Sequence, residues 1–271
     1  MDGAPPHQVV VDYYTGAYRE DLRFAPDEAR PQGRLEWLRT REILAAVLPP
    51  PPARVLDVGG GPGAYARVLV GQGYGVRLLD LTPAHVEQAR AGEPPVEAAV
   101  ADARALPEPD GTYDAVLVMG PLYHLTERAD RVEALREAVR VARPGAVVAV
   151  AAISRFAGPV DFASVGRLDD DWVDRARLLL GSGAHDVRVG FTVAYFHRVA
   201  ELRDECAEAG LAGVVVHGVE GPAWPAAEAA RHGPHAGEVL ESALRLARVL
   251  GTEPEVLAAS AHLLAVARTP A

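Results

Sequence analysis

"VLDVGGGPGAYA", Val55 to Ala66, is the stretch that decides the fold. An apolar run ends at Val58 and glycines follow, so a buried strand feeds a tight turn that opens a helix. Two readings fit the turn. Gly59-Gly60-Gly61-Pro62-Gly63-Ala64 matches G-x-G-x-x-A, whose backbone cradles a pyrophosphate. Asp57-x-Gly59-x-Gly61-x-Gly63 instead places an acid at the strand end, with glycine at every second position after it. The two readings demand ligands of opposite charge.

Outward from this turn, strand-like runs alternate with helical stripes, the pattern of a parallel sheet covered on both faces. Strands are predicted at 53–59, 75–81, 96–102, 113–120 and 145–154. Between them fall helices at 64–71, 83–90, with Pro83 at its first position, and 128–142, stopped by Arg143-Pro144-Gly145. Regularity breaks over 155–197, a segment with two glycine-rich turns and six aromatic residues, Phe156 to Phe196. A helix at 198–209, a strand at 212–220, a helical stretch over 222–260 and a last strand at 261–269 complete the chain. An N-terminal helical arm spans 33–48. The arm, 155–197 and 222–260 are expected to roof a site at the carboxyl ends of the strands, where open α/β sheets bind ligands.

Composition narrows the ligand classes. The 271 residues carry a formal net charge of −10, which disfavours nucleic acid or an anionic membrane as partner. All 27 basic residues are arginine, so a lysine Schiff base and a P-loop lysine are both excluded. One cysteine, Cys206, rules out an internal disulfide and a thiolate metal cluster. No signal-peptide pattern or apolar run of membrane-spanning length is present, so a cytoplasmic monomer or homodimer is expected.

Asp57 decides between the two readings of the turn. The acid is expected to point into the crevice beneath the glycines, where it would repel a pyrophosphate at short range. S-adenosylmethionine (SAM) carries an ammonium and a sulfonium and no phosphate, so it suits the acid. "VLDVGGGPG" resembles motif I of class I SAM-dependent methyltransferases, and later landmarks fall in that family's order. The resemblance implies an α/β fold: a Rossmann-like, seven-stranded, mostly parallel sheet with an antiparallel last strand and helices on both faces. The SAM-binding domain is expected over 51–271, with cap inserts at 155–197 and 222–260 and a lid over 1–50. It implies that Gly59, Gly61 and Gly63 approach the cofactor, that Asp80, followed by Leu81, takes the ribose hydroxyls, and that Asp102 with the Ala103 amide takes the adenine. The carbonyl of Met119 or Gly120 would meet the methionyl ammonium.

Methyl transfer needs positioning more than chemistry, so catalytic candidates are few. His124, after the fourth strand, could act as general base or simply bond backbone. His197, closing the aromatic segment, would face the acceptor if that segment roofs the pocket. Tyr14 and Tyr18, in "DYYTGAY", resemble lid tyrosines that shield the donor methyl. Arg39 interrupts an apolar stripe between Leu35 and Ile43, and the SAM carboxylate or a salt bridge to Glu36 or Glu42 would explain it. The remaining histidines are scattered without metal-ligand spacing, and no metal is expected. The reading is methyl transfer from SAM to a small-molecule acceptor, with a natural product as one acceptor class. A SAM cyclase or lyase, an NAD(P)-dependent oxidoreductase and a non-catalytic SAM-binding regulator are the alternatives.

Overall fold

The computed structural model describes residues 5–16, 20–24, 29–185 and 191–271. Helix α1 is Pro6–Gly16 and α2 is Pro31–Val47. The doubly wound part then runs β1 (Arg54–Val58), α3 (Ala64–Gly71), β2 (Gly75–Asp80), α4 (Pro83–Ala91), β3 (Glu97–Val100) and β4 (Tyr113–Val118). It continues through α5 (Pro121–His124), α6 (Arg128–Val141) and β5 (Ala142–Ile153). Two helices, α7 (Ala157–Ser164) and α8 (Asp170–Ser182), occupy the irregular segment. Then come α9 (Val199–Glu208), β6 (Ala212–Gly218), α10 (Trp224–Ala230), α11 (Ala236–Leu250) and β7 (His262–Arg268).

The seven strands form one sheet in the order β3-β2-β1-β4-β5-β7-β6. Strands β1 to β5 pair in parallel, while β7 runs antiparallel to both β5 and β6. The chain leaves β1 for β2 and β3 on one side and returns to β4 on the other. That reversal splays the connections apart at the carboxyl ends of β1 and β4 and opens a crevice there. Because β7 runs the other way, its first residue, His262, pairs with Ile153 at the end of β5 and so also reaches that edge.

Both sheet faces are covered, which is why the strands read as continuous apolar runs. Successive residues alternate between two cores. Leu56, Val58, Val116, Val118, Val148 and Val150 pack with Leu135 of α6 and Leu202 of α9. Val55, Leu78, Leu117, Ala149 and Leu264 pack on the other face with Ile43 of α2, Leu69 of α3 and Val86 of α4. A third cluster joins Leu35 of α2 to Trp224 and Ala227 of α10 and Leu244 of α11. Arg30 ties the same elements by charge, bonding Glu228 of α10 and Asp161 of α7. At the end of β5, Ile153 meets Leu179 of α8 and Phe196.

Most predicted elements form within two residues of their expected ends. One differs for a physical reason. The Arg143-Pro144-Gly145 turn lies inside β5 as a bulge: Ala142 already pairs with Tyr113, and the register shifts before Val147 pairs with Ala115. Gly145 takes a φ of +74° to make that shift. Among the described residues, no helix is long and apolar enough to cross a membrane.

Candidate active site

The turn after β1 requires glycine at positions 59 and 60. Gly59 has φ +72°, and a Cβ there would lie 2.4 Å from Pro121 Cδ. At Gly60 a Cβ would lie 2.5 Å from an oxygen of Asp57. Asp80, ending β2, pins the turn from the side: one carboxylate oxygen accepts from the Gly61 amide at 2.9 Å, the other from the Thr82 amide at 2.8 Å. The crevice at the carboxyl ends of the strands is lined by Gly59 and Gly61 of the turn, Asp80 and Leu81 at the end of β2, Asp102 and Ala103 after β3, and Met119, Gly120 and His124 after β4. Tyr14 of α1 closes over it.

Several expected site residues lie elsewhere. Asp57 does not line the crevice. Its carboxylate sits behind the turn, fully buried against Gly60 and Leu78, with neither oxygen hydrogen-bonded to protein. Burial, and then the Asp80 charge, push its pKa up to about 7. Gly63 is also outside the crevice lining; its φ of +88° starts α3, and a Cβ there would press on Ala89 of α4. Arg39 is buried but turned from the crevice and paired with Glu42, the salt bridge that its place on an apolar stripe also allowed. His197 does not face the acceptor region. It is fully buried, with Nε2 3.2 Å from Glu205, which also holds Arg131. Tyr18 lies outside the described residues. Asp102 reaches the crevice wall, but its carboxylate is engaged by the Arg104 guanidinium at 2.6 Å, and that hydrogen bond holds its pKa below the ordinary value.

His124 and Tyr14 form a pair. The Tyr14 hydroxyl is 3.0 Å from His124 Nε2, and His124 Nδ1 is 3.1 Å from the Val193 carbonyl. A carbonyl can only accept, so Nδ1 carries the proton and Nε2 accepts from Tyr14. Burial drives the His124 pKa down to about 4. The ring is therefore neutral near pH 7.

A second chamber adjoins the crevice and shares Tyr14, Glu20, Arg23, Tyr123 and His262 with it. Its far wall carries Ala157, Gly158, Phe191, Phe196 and Trp224. Sequence reasoning passed over the charged groups between the two spaces. Arg23 donates to both oxygens of Glu36, at 2.8 and 2.7 Å, and approaches Glu20 at 3.3 Å. The other Glu20 oxygen is buried without a hydrogen-bond partner. His262 Nδ1 is 2.5 Å from Glu220, and its Nε2 is 3.3 Å from Arg23. Burial opposes a charge on His262, but Glu36 and Glu220 outweigh it and hold the pKa above the ordinary 6.5. One signal for this cluster was available. In an antiparallel pair the end of the first strand and the start of the second meet at one edge, so Glu220 and His262 had to lie at the carboxyl end of the sheet.

Comparison with known proteins places this architecture. Residues 55–145 match the methyltransferase-domain family. The ubiquinone biosynthesis O-methyltransferase of Thiobacillus denitrificans is 32% identical over 184 residues, covering 66% of this chain and 70% of that protein. The chain belongs to the SAM-dependent methyltransferase family. A 2-methyl-6-phytyl-1,4-hydroquinone methyltransferase of Synechocystis is 36% identical over 106 residues, covering 38% of this chain and 32% of that protein. The chain spans less than two thirds of the length of the curated relatives it matches first, 32% in that case and 47% for a demethylmenaquinone methyltransferase of Renibacterium salmoninarum. A SAM-dependent methyltransferase structure from Thermotoga maritima superposes with a TM-score of 0.59 at 16% identity, covering 97% of this chain and 99% of that one, and shows the shared fold.

The residues around the crevice fit the cofactor of a SAM-dependent methyltransferase. Glu20, Glu36 and Asp80 line it, Asp57 lies behind its turn, and the buried Glu20 oxygen lacks a donor. A ligand bringing a cationic ammonium and sulfonium relieves that charge, whereas a pyrophosphate would add to it.

Proposed function

We propose that this chain transfers the methyl group of SAM to a small molecule held in the second chamber. The observation that carries the reading is the continuity of the two spaces. A glycine-walled crevice opens directly onto an aromatic-walled chamber, and Tyr14, Tyr123 and His262 belong to both. When bound, SAM supplies an electrophilic methyl on a sulfur that leaves as a neutral thioether.

The chain's own residues then have mainly positional work. Asp80 takes the ribose hydroxyls, and the Asp102–Ala103 corner takes the adenine. The Met119 carbonyl, which now accepts from the Tyr123 hydroxyl at 3.2 Å, and the bare oxygen of Glu20 meet the ammonium. Arg23, lining the crevice where Arg39 does not, faces the methionyl carboxylate. His124 is too weak a base at a pKa of about 4 to hold an acceptor proton near pH 7, so its part is to fix the Tyr14 hydroxyl over the methyl. The acidic chain and enclosed chamber favour a small metabolite over nucleic acid.

Asp80→Ala should weaken SAM binding by roughly 10- to 100-fold, the loss of charge-assisted hydrogen bonds to the ribose. Calorimetry with SAM and S-adenosylhomocysteine checks this, and an unchanged affinity would place the ribose elsewhere. The transfer itself is tested with SAM labelled in its methyl group and a collection of small hydroxyl, carboxyl and amine compounds. Label should enter one of them in step with S-adenosylhomocysteine. Oxidation of any of them with NAD(P), and no label transfer, would contradict the reading.

A further inference from the structure

We propose that His262, held by Glu220, is the catalytic base that takes the acceptor's proton, and that the acceptor is a planar ring bearing a hydroxyl. This rests on the methyl-transfer reading above.

The dyad is held from several sides. Glu220 is fully buried, and its second oxygen accepts from the Ser260 hydroxyl at 2.7 Å and from the His262 amide at 2.8 Å. With its other oxygen 2.5 Å from Nδ1, the carboxylate fixes the proton on Nδ1 and leaves Nε2 as an acceptor, which takes a long hydrogen bond of 3.3 Å from Arg23. His262 belongs to the wall of both the donor crevice and the chamber, so Nε2 lies where donor and acceptor meet. His124 cannot take this role: its Nε2 is held by the Tyr14 hydroxyl at 3.0 Å, and no carboxylate stands on its other nitrogen to balance an imidazolium.

The chamber supplies the acceptor class. Tyr123, Phe191, Phe196 and Trp224 line it beside the small residues Ala157 and Gly158, an apolar, aromatic-rich wall that suits a flat ring. A neutral amine attacks with its own lone pair and needs no base beforehand. A hydroxyl oxygen becomes a good nucleophile as its proton leaves. The acceptor hydroxyl replaces Arg23 as the donor to Nε2, and Arg23, 3.3 Å from that nitrogen, then stands beside the oxygen that gains charge while keeping its two bonds to Glu36. The acceptor oxygen bonds to the methyl carbon as the carbon–sulfur bond breaks and leaves its pair on sulfur. The hydroxyl proton passes to Nε2, Glu220 balances the imidazolium, and the proton is later lost to water. Glu36, Glu220 and His262 each offer an atom within 4.8 Å of the others, an arrangement that could also gather a cation. Their engagement by Arg23, Ser260 and one another favours the dyad.

The groups facing His262 are Arg23 and Glu20 from the N-terminal segment, Gln32 and Glu36 from α2, Tyr123 from α5 and Glu220 beyond β6. The test titrates the S-adenosylhomocysteine complex with 4-nitrophenol and reads the absorbance of its ionised form. In the wild type the bound phenol should ionise at a lower pH than it does in water. In His262→Gln, saturated with S-adenosylhomocysteine, it should bind un-ionised. Glu220→Gln should leave His262 less basic and move the transition between those two cases. With any hydroxyl acceptor, His262→Gln should lower kcat by about 10²- to 10⁴-fold, the usual worth of a general base. Equal ionisation in wild type and His262→Gln, or no binding of the phenol, overturns the proposal. Ionisation abolished by EDTA and restored by magnesium would assign the cluster to a cation and overturn it too. Methylation of amines alone, untouched by His262→Gln, would remove the base while leaving methyl transfer intact. Conversion of SAM to methylthioadenosine would remove methyl transfer itself, and the base with it.

Discussion

Glu205→Ala should cost about 3–5 kcal/mol of folding free energy, the loss typical when one member of a buried ion pair is removed. Glu205 and Arg131 are each almost fully buried. Arg131 donates from Nε and Nη2 to the carboxylate, at 3.0 and 2.7 Å, and from Nη1 to the Leu125 and Thr126 carbonyls. Its guanidinium lies 3.7 Å over the Tyr195 ring. Without Glu205 that charge stays in the interior with only carbonyls and a ring to compensate it. Burial alone would raise the Glu205 pKa, but hydrogen bonds from His197 and then Arg131 hold it below the ordinary value. His197 shifts downward as well, chiefly through burial. Both depressed groups stabilise the fold above their unfolded values, and that stability is lost as pH falls. Urea unfolding of the variant should show the loss, and a midpoint close to wild type would mean that the pair contributes nothing net. His197→Asn should likewise lower stability while leaving kcat of the folded protein within about twofold, because the ring meets Glu205 and not the chamber.

Asp57→Asn should do the opposite. Between the ordinary carboxyl value of 3.8 and about 7, Asp57 is neutral in the folded protein and ionised in the unfolded chain. The stability it contributes is complete below about pH 4 and is lost as pH rises to about 7. Asparagine has no such titration. The variant should therefore gain on wild type by up to about 4 kcal/mol between pH 4 and pH 8. Urea unfolding at several pH values measures the gain, and a pH-independent difference would show that the acid is not charged at the cost its burial implies. A cation bound across the turn favours the ionised form. SAM should accordingly bind wild type more tightly above about pH 7 than below, a dependence that Asp57→Asn should lose.

These two acids show where sequence reasoning stopped. The doubly wound order was legible because short continuous apolar runs and glycine stops are local signals. Helix α3 begins and ends at the residues expected, Ala64 and Gly71. The direction of a single polar side chain is not a local signal. Asp57 is the last residue but one of a strand whose alternate residues serve two cores, and its parity with Val55 sends it toward the α2 side, behind the turn. Arg39 read as a candidate because it broke an apolar stripe and His197 because it closes the aromatic segment, yet either place equally suits an ion pair, with Glu42 and with Glu205. His262 was passed over for the converse reason. It stands alone in sequence and acquires Glu220, Glu36 and Arg23 only when β7 turns back beside β5 and β6.

The most direct measurement is the nucleoside product formed from SAM, separated by mass spectrometry, with and without an acceptor that takes up label. Methyl transfer predicts little change with SAM alone, and S-adenosylhomocysteine equal in amount to the methylated acceptor when both are present. Methylthioadenosine accumulating from SAM alone, well above the rate without protein, would mean that the aminobutyryl chain is the reacting group and would contradict the account.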